Sequence, residues 1–316
     1  MTRLKLIQRA SQKETTAGAH KARPSAYSGR GVARPRPFRL IQSSLALVAA
    51  SALMGLSSSI LAATKSSDLT FMKTTTGVEF GIWGQGDVKP SPTLIVLGNS
   101  IEGTIGEPYF RQAGNDLAKE GFISVSIDIP GHGTQEREGE AKGLAGWRER
   151  IDQGEDIVAE TNRRLSEVLD YLIAEGISDP DNIAVSGTSR GGFLAMHFTA
   201  SDPRVKCVAA FAPVTDLIVL REFHGAEGNA LMESLSVSEQ ADKLADRPVW
   251  IIMGDRDDRV GTDNAITLAR KITASAIAQG LNPAVDLLVL AEPKGHTTPA
   301  GAAETAAIWI KRQLGN

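Results

Sequence analysis

Three short segments of this chain carry residue types that, at their spacing, support nucleophilic catalysis. The first is Gly187-Thr188-Ser189-Arg190-Gly191-Gly192, which follows the apolar run 183–185 and precedes a helical pattern over 192–200. A serine held on a sharp strand-to-helix turn has close backbone neighbours. The residues two before and two after it must therefore be small, and Gly187 and Gly191 satisfy this. The helix N-terminus beyond brings a positive dipole end and unpaired amides to a developing oxyanion, the Arg190 amide being the expected donor. A serine between glycines is a common string, and its seat between strand and helix is what gives it weight.

The second segment is Gly254-Asp255-Arg256-Asp257-Asp258-Arg259-Val260, directly after the apolar run 249–253. A carboxylate at a strand's carboxyl end can orient a histidine and stabilise its imidazolium. Asp257 is the expected acid, while Asp255 and Asp258 have the plainer option of pairing with Arg256 or Arg259. The third is Gly295-His296-Thr297, after the run 285–290 and before the last helical pattern, which Pro299 is placed to open. The other histidines fail by position. His20 lies near the amino terminus, His132 in an early turn, and His197 on the helix behind Ser189, where packing is the usual role. Ser189, Asp257 and His296 stand in the chain order Ser–acid–His, each after a predicted strand.

Positioning these groups requires a particular frame. Apolar, Val- and Ile-rich runs occur at 69–73, 78–83, 93–97, 122–127, 183–185, 205–211, 249–253 and 285–290. Several are continuous, as strands buried on both faces of a parallel sheet read. Helical patterns lie between them at 109–119, 156–174, 192–200, 265–279 and 302–314. The alternation predicts one α/β domain with a mostly parallel sheet covered by helices on both faces. The first two runs have no helix between them and predict an antiparallel edge hairpin. The polar, glycine-rich stretch 131–146 reads as a loop over the sheet's carboxyl edge, and 213–247 as a small cap.

The chain from about 70 to 314 resembles the α/β-hydrolase superfamily, and within it the prolyl-oligopeptidase-like and dienelactone-hydrolase-like enzymes. The resemblance is carried by the doubled glycine after Ser189-Arg190, by Gly254-x-x-Asp257-x-x-Val260, by Gly295-His296, and by the turn Asp128-Ile129-Pro130-Gly131-His132-Gly133. It implies an α/β-hydrolase fold with Ser189 as nucleophile, Asp257 as triad acid and His296 as base. Two departures bear on substrate. Many relatives place a His-Gly pair or a tyrosine-bearing glycine loop after the third strand, whereas this chain has Gly98-Asn99-Ser100-Ile101-Glu102-Gly103. An amide within 99–101 can supply the second oxyanion donor, and Ser100 is favoured. The chain also has no room for the propeller that gates true oligopeptidases, which favours small esters over peptides.

Several polar residues have a functional and a plainer reading. The Arg190 side chain can reach a substrate carboxylate or sugar hydroxyl, or it can pair with a loop acid such as Asp216 or Glu102, the favoured option. Arg221 and His224, in the cap, are substrate-binding candidates, although most such charges face solvent. Trp147, with Leu144, is expected to pack the 131–146 loop onto the sheet.

Composition bounds the rest. The 316 residues hold 34 Lys and Arg, 37 Asp and Glu, and a net charge of -3. Residues 1–63 carry ten of the basic residues and one acid, Glu14, so the remainder is strongly acidic. An acidic body argues against nucleic acid or an anionic membrane as partner. The basic stretch ending at Arg34, Arg36 and Arg39, then the apolar run 45–63, reads as an export leader cleaved near Ala62 or Ala63. An uncleaved anchor is the less favoured alternative. The expected division is a leader over 1–63 and a catalytic domain over 64–316, exported to the periplasm or secreted. The single cysteine, Cys207, lies in the apolar run 205–211 and reads as a buried structural thiol. No His and Cys cluster has metal-ligand spacing, and the expected chemistry needs no cofactor. The expected function is hydrolysis of a small-molecule carboxylic ester through an acyl-enzyme. A short-peptide exopeptidase or amidase is one alternative, for which an acidic pair such as Glu222 and Glu227 would hold the amino terminus. A hydrolase-fold protein that only binds its ligand is the other.

Overall fold

The computed structural model describes residues 69–86 and 88–315; the segment read as a leader lies outside them. Eight strands form one sheet: β1 (Leu69–Lys73), β2 (Glu79–Trp83), β3 (Ser91–Leu97), β4 (Ile123–Ser126), β5 (Ser178–Thr188), β6 (Cys207–Phe211), β7 (Val249–Gly254) and β8 (Val285–Leu290). Their spatial order is β1-β2-β4-β3-β5-β6-β7-β8. β1 and β2 form the antiparallel edge hairpin, β2 meets β4 antiparallel, and every pair from β4 to β8 is parallel. The helices are α1 (Ile101–Ile105), α2 (Pro108–Arg111), α3 (Gly114–Leu117), α4 (Leu144–Asp152), α5 (Ile157–Ala174), α6 (Arg190–Ser201), α7 (Ala230–Ser234), α8 (Ala241–Leu244), α9 (Thr262–Ala278) and α10 (Ala302–Leu314).

The continuous apolar runs have a physical reason. On β3, Ile95 and Leu97 enter one core cluster while Leu94 and Val96 enter the other, and Ile251 and Trp250 on β7 divide the same way. With helices on both faces a polar strand residue is costly, so the alternation of a half-solvated strand disappears. One face is covered by α5, α6 and α9, the other by α1, α3 and α10. In α5, Leu165, Val168, Leu169 and Leu172 repeat at helical spacing and are fully buried, each contributing about 2 kcal/mol of apolar transfer. Asp156 starts that helix by accepting the amides of Val158 and Ala159 at 3.0 and 2.8 Å.

Three local expectations are corrected, and one helix is added. The helix expected over 109–119 is broken into α2 and α3, because Gln112 adopts φ 49° between them. The loop expected over 131–146 closes with the start of α4, which carries the buried Trp147. Pro299 does not open the last helix, which begins at Ala302 behind a left-handed Gly301. α1 was not foreseen: Ser100 caps it by accepting the Gly103 amide at 3.1 Å. The 213–247 segment, between β6 and β7, forms α7, α8 and three short 3-10 turns. Among the described residues no helix is long and apolar enough to cross a membrane, and no group of three or more His, Cys, Asp or Glu is placed to hold a metal ion.

Candidate active site

Ser189 stands at the junction of β5 and α6 with φ 55° and ψ -118°, a conformation that side-chain-bearing residues rarely adopt. Its neighbours fix it there. The Ser189 amide donates to the Phe211 carbonyl at 2.9 Å, and its own carbonyl accepts from Val214 at 3.1 Å and Phe193 at 3.2 Å. The flanking glycines are required by space. A β-carbon on Gly187 would collide with the Gly191 carbonyl, and one on Gly191 with the Leu97 carbonyl. The strained turn is thus locked between the ends of β3 and β6, with its side chain at the sheet's carboxyl edge.

The three residues singled out in the sequence come together at that edge. The Ser189 hydroxyl donates to His296 Nε2 at 3.0 Å, and His296 Nδ1–H donates to Asp257 Oδ2 at 2.8 Å. The other Asp257 oxygen accepts the amides of Arg259 and Val260 at 3.1 and 3.2 Å. The carboxylate is therefore buried yet hydrogen-bonded on both sides, which is how a buried charge is tolerated. Asp255 is turned away, accepting the Glu292 amide at 2.8 Å. The histidine loop is tied to α2 and the residue after it, through Tyr109 to Thr297 at 3.4 Å and Gln112 to Thr298 at 3.3 Å.

Two backbone amides bear on the oxyanion expectation. That of Arg190, at the first position of α6, has no carbonyl behind it in the helix. In the loop after β3, the Asn99 amide donates to Thr104 Oγ1 at 2.8 Å and the Ile101 amide to Asp128 Oδ1 at 2.7 Å. Among the described residues nothing accepts the Ser100 amide, although Ser100 does not line the pocket at Ser189.

That pocket has a volume of about 330 Å³ and holds Ser189 and His296 beside Arg190, Arg259, Tyr109 and Phe110. Leu144 and Ala212 complete its apolar wall. Arg221 and His224 are not brought to it. The Arg221 side chain is 80% exposed and reaches only Glu222 at 3.3 Å, and the His224 carbonyl accepts from Arg148 at 3.2 Å. The residue from that segment that approaches the site is Glu222, which accepts from Arg259 through both oxygens at 2.8 and 2.7 Å. Desolvation acts to raise the Glu222 carboxyl, and the Arg259 hydrogen bonds outweigh it and hold the group below the usual range. Arg190 pairs with neither Asp216 nor Glu102. Its Nε donates to the Gly98 carbonyl at 3.1 Å, while Asp216 accepts the Ile218 amide at 3.2 Å.

Arg259, Tyr109 and Phe110 were missed in the sequence. Arg259 had a signal, since it lies two residues past Asp257 in the same loop; the aromatic pair had none beyond belonging to a helical pattern. His197 and Cys207 are packing residues. Burial pushes the imidazole down to about 4 and the thiol up to about 12.

A parallel sheet of this order, with a strained serine after its fifth strand, an acid after its seventh and a histidine after its eighth, defines the α/β-hydrolase fold. Residues 108–315 match the family described as the prolyl oligopeptidase family, and the chain belongs to it. Among curated proteins it is similar to esterase YjfP of Escherichia coli K12, with 23% identity over 204 residues, 60% of this chain and 78% of that protein. Among solved structures it is similar to TT1662 from Thermus thermophilus, with a TM-score of 0.60 and 18% identity, covering 78% of this chain and 99% of that one. Dipeptidyl peptidase 4 of Porphyromonas gingivalis gives a TM-score of 0.55 at 17% identity. There the match covers 78% of this chain, which spans about a third (35%) of the peptidase. Both structural likenesses are likenesses of fold.

Proposed function

We propose that this protein is a serine hydrolase that cleaves small carboxylic esters through an acyl-enzyme. The observation that carries the reading is the hydrogen-bonded line from Ser189 through His296 to Asp257, at 3.0 and 2.8 Å. In this reading His296 Nε2 takes the Ser189 proton as Oγ attacks the ester carbonyl carbon. The amides of Arg190 and Ser100 hold the resulting oxyanion. Collapse expels the alcohol, which leaves with the proton from His296. Water, deprotonated by the same nitrogen, then attacks the acyl-enzyme, and the acid departs as Ser189 regains its proton. Asp257 keeps the hydrogen on Nδ1 and stabilises the imidazolium formed in each half-reaction.

Family membership favours a second reading, an exopeptidase on short peptides. Gripping a peptide's amino terminus needs an acid free to face the pocket. Glu222 is committed to Arg259, and Glu227 lines a separate cavity with Thr215 and Lys271. The small pocket and its apolar wall suit an acyl chain better. The segment 1–63 is read as an export leader, so the mature enzyme would work in the periplasm or outside the cell.

The test is turnover of 4-nitrophenyl acetate, butyrate and octanoate beside an amino-acyl-proline anilide, with Ser189→Ala in parallel. Ester turnover lost in the variant is expected. Turnover of the anilide alone would replace the reading with the peptidase one, and activity persisting in Ser189→Ala would end the mechanism.

A further inference from the structure

The pocket at Ser189 is lined by two arginines, Arg190 and Arg259, and by no acidic residue. This stands out in a chain whose body is acidic. The two cations are not equivalent. Arg259 is neutralised by Glu222, which accepts from it through both oxygens. Arg190 has no such partner among the described residues. One of its donors, Nε, is taken by the Gly98 carbonyl at 3.1 Å, a neutral acceptor that aims the group without cancelling its charge. Among the described residues the two terminal nitrogens, with four N–H donors, have no hydrogen-bond acceptor.

That arrangement is costly for an empty pocket. Burial, and then the like charge of Arg259, disfavour the charged form of Arg190, while Glu222, the acid whose field reaches it, is already bonded elsewhere. A guanidinium stays protonated at neutral pH, and its fork geometry matches a carboxylate through two parallel hydrogen bonds. The residue also follows the nucleophile directly, so an anion held by its side chain lies within a few bonds of a carbonyl carbon attacked by Ser189.

We propose that Arg190 is a specificity-determining residue that selects esters bearing a carboxylate close to the scissile carbonyl. The inference rests on the ester-hydrolase reading and deepens it. The apolar wall of Tyr109, Phe110 and Leu144 takes the hydrocarbon portion, and the free face of Arg190 takes the charge. Arg259, held by Glu222 through both oxygens, does not compete for the anion.

Two matched pairs of substrates test it and locate the charge. On the acyl side, 4-nitrophenyl hydrogen adipate is compared with 4-nitrophenyl hexanoate. On the alcohol side, 4-acetoxybenzoate is compared with its methyl ester. The wild-type enzyme should favour the carboxylate member of at least one pair by about tenfold or more in kcat/KM, the scale of a hydrogen bond to a charged group. Arg190→Gln should bring that ratio to about one, whatever it does to the two rates separately, and Arg190→Lys should restore part of it. Turnover of the neutral esters with no preference in either pair overturns the inference and leaves the esterase reading standing. A preference that survives in Arg190→Gln overturns the assignment to this residue. Loss of turnover on all four substrates removes both readings together.

Discussion

The carbonyl oxygen of Leu97, the last residue of β3, occupies the space that a β-carbon on Gly191 would need. The helix carrying the strained Ser189 is therefore pressed against the strand whose following loop offers the Ser100 amide. On the proposed mechanism this close approach sets the distance between the Ser189 hydroxyl and the Ser100 amide, and it cannot relax because both partners are backbone. Gly191→Ala should lose about 3 kcal/mol or more, above the ordinary cost of an added methyl in a packed site. Its ester turnover should fall at least about 100-fold, since a displacement near 1 Å is enough for that. Gly176→Ala is the contrast: Gly176, unlike Gly191, has a positive φ, at 63°, with open space around it, so the loss should be about 1 kcal/mol with activity kept. Urea unfolding and kcat on both variants decide the matter. Equal losses would mean that the approach to Leu97 relaxes at no more cost than an unfavourable backbone angle in open space.

Asp257 is separable from Ser189 and His296 because its carboxylate makes two sets of hydrogen bonds. One oxygen orients His296 and the other accepts two amides of its own loop. Asp257→Asn should keep the loop bonds while presenting an amide to Nδ1, which favours the wrong imidazole tautomer. On the proposed mechanism kcat drops by about 10⁴ with the fold intact, the scale seen when a triad acid loses its charge in place. A kcat within tenfold of wild type would show that another group orients His296.

Asp128 joins two loops that carry no catalytic side chain. Oδ1 accepts the Ile101 amide at 2.7 Å, and Oδ2 accepts the Thr134 amide and hydroxyl at 2.7 and 2.8 Å. By holding Ile101 it sets where the preceding Ser100 amide points. Asp128→Ala leaves the buried Ile101 amide without its partner and should cost about 1–3 kcal/mol. Where the variant remains folded, kcat should fall about tenfold with KM little changed, because an oxyanion donor acts in the transition state. Asp128→Asn, which keeps an acceptor toward Ile101, should recover most of the kcat. A folded Asp128→Ala with full kcat would detach this carboxylate from the oxyanion loop.

What could be read from the sequence follows from how local each signal is. The strands were legible because a sheet covered on both faces forces uninterrupted apolar runs, and Ser189, Asp257 and His296 stood out because each follows such a run by a few residues. α1 was hidden by Gly103 and Gly106, which dilute a five-residue helix below any periodic signal. The break at Gln112 comes from a positive φ that no residue type there announces. Arg221 and His224 are polar residues of the same segment, yet the group that reaches the site is Glu222. Its partner Arg259 is 37 residues away, a pairing fixed by the fold with no local trace. The free state of Arg190 was illegible for the same reason: it depends on which distant acids are already taken.

His197 supplies a pH dependence that is structural. It is buried on α6, and its Nε2–H donates to the Leu235 carbonyl at 3.0 Å, linking the helix behind Ser189 to the segment between β6 and β7. Burial pushes its pKa down to about 4, from an ordinary 6.5, against the smaller opposing effect of that hydrogen bond. The folded state therefore binds fewer protons than the unfolded one between these values. Stability from this residue is fully present above pH 6.5 and is lost as the pH falls toward 4. Between pH 7.5 and 4.5 the wild type should lose about 2 kcal/mol more than His197→Gln, which keeps a donor for Leu235 but does not titrate. Urea unfolding of both proteins at the two pH values measures the difference. Parallel losses would mean that the imidazole opens to solvent and protonates within the folded protein.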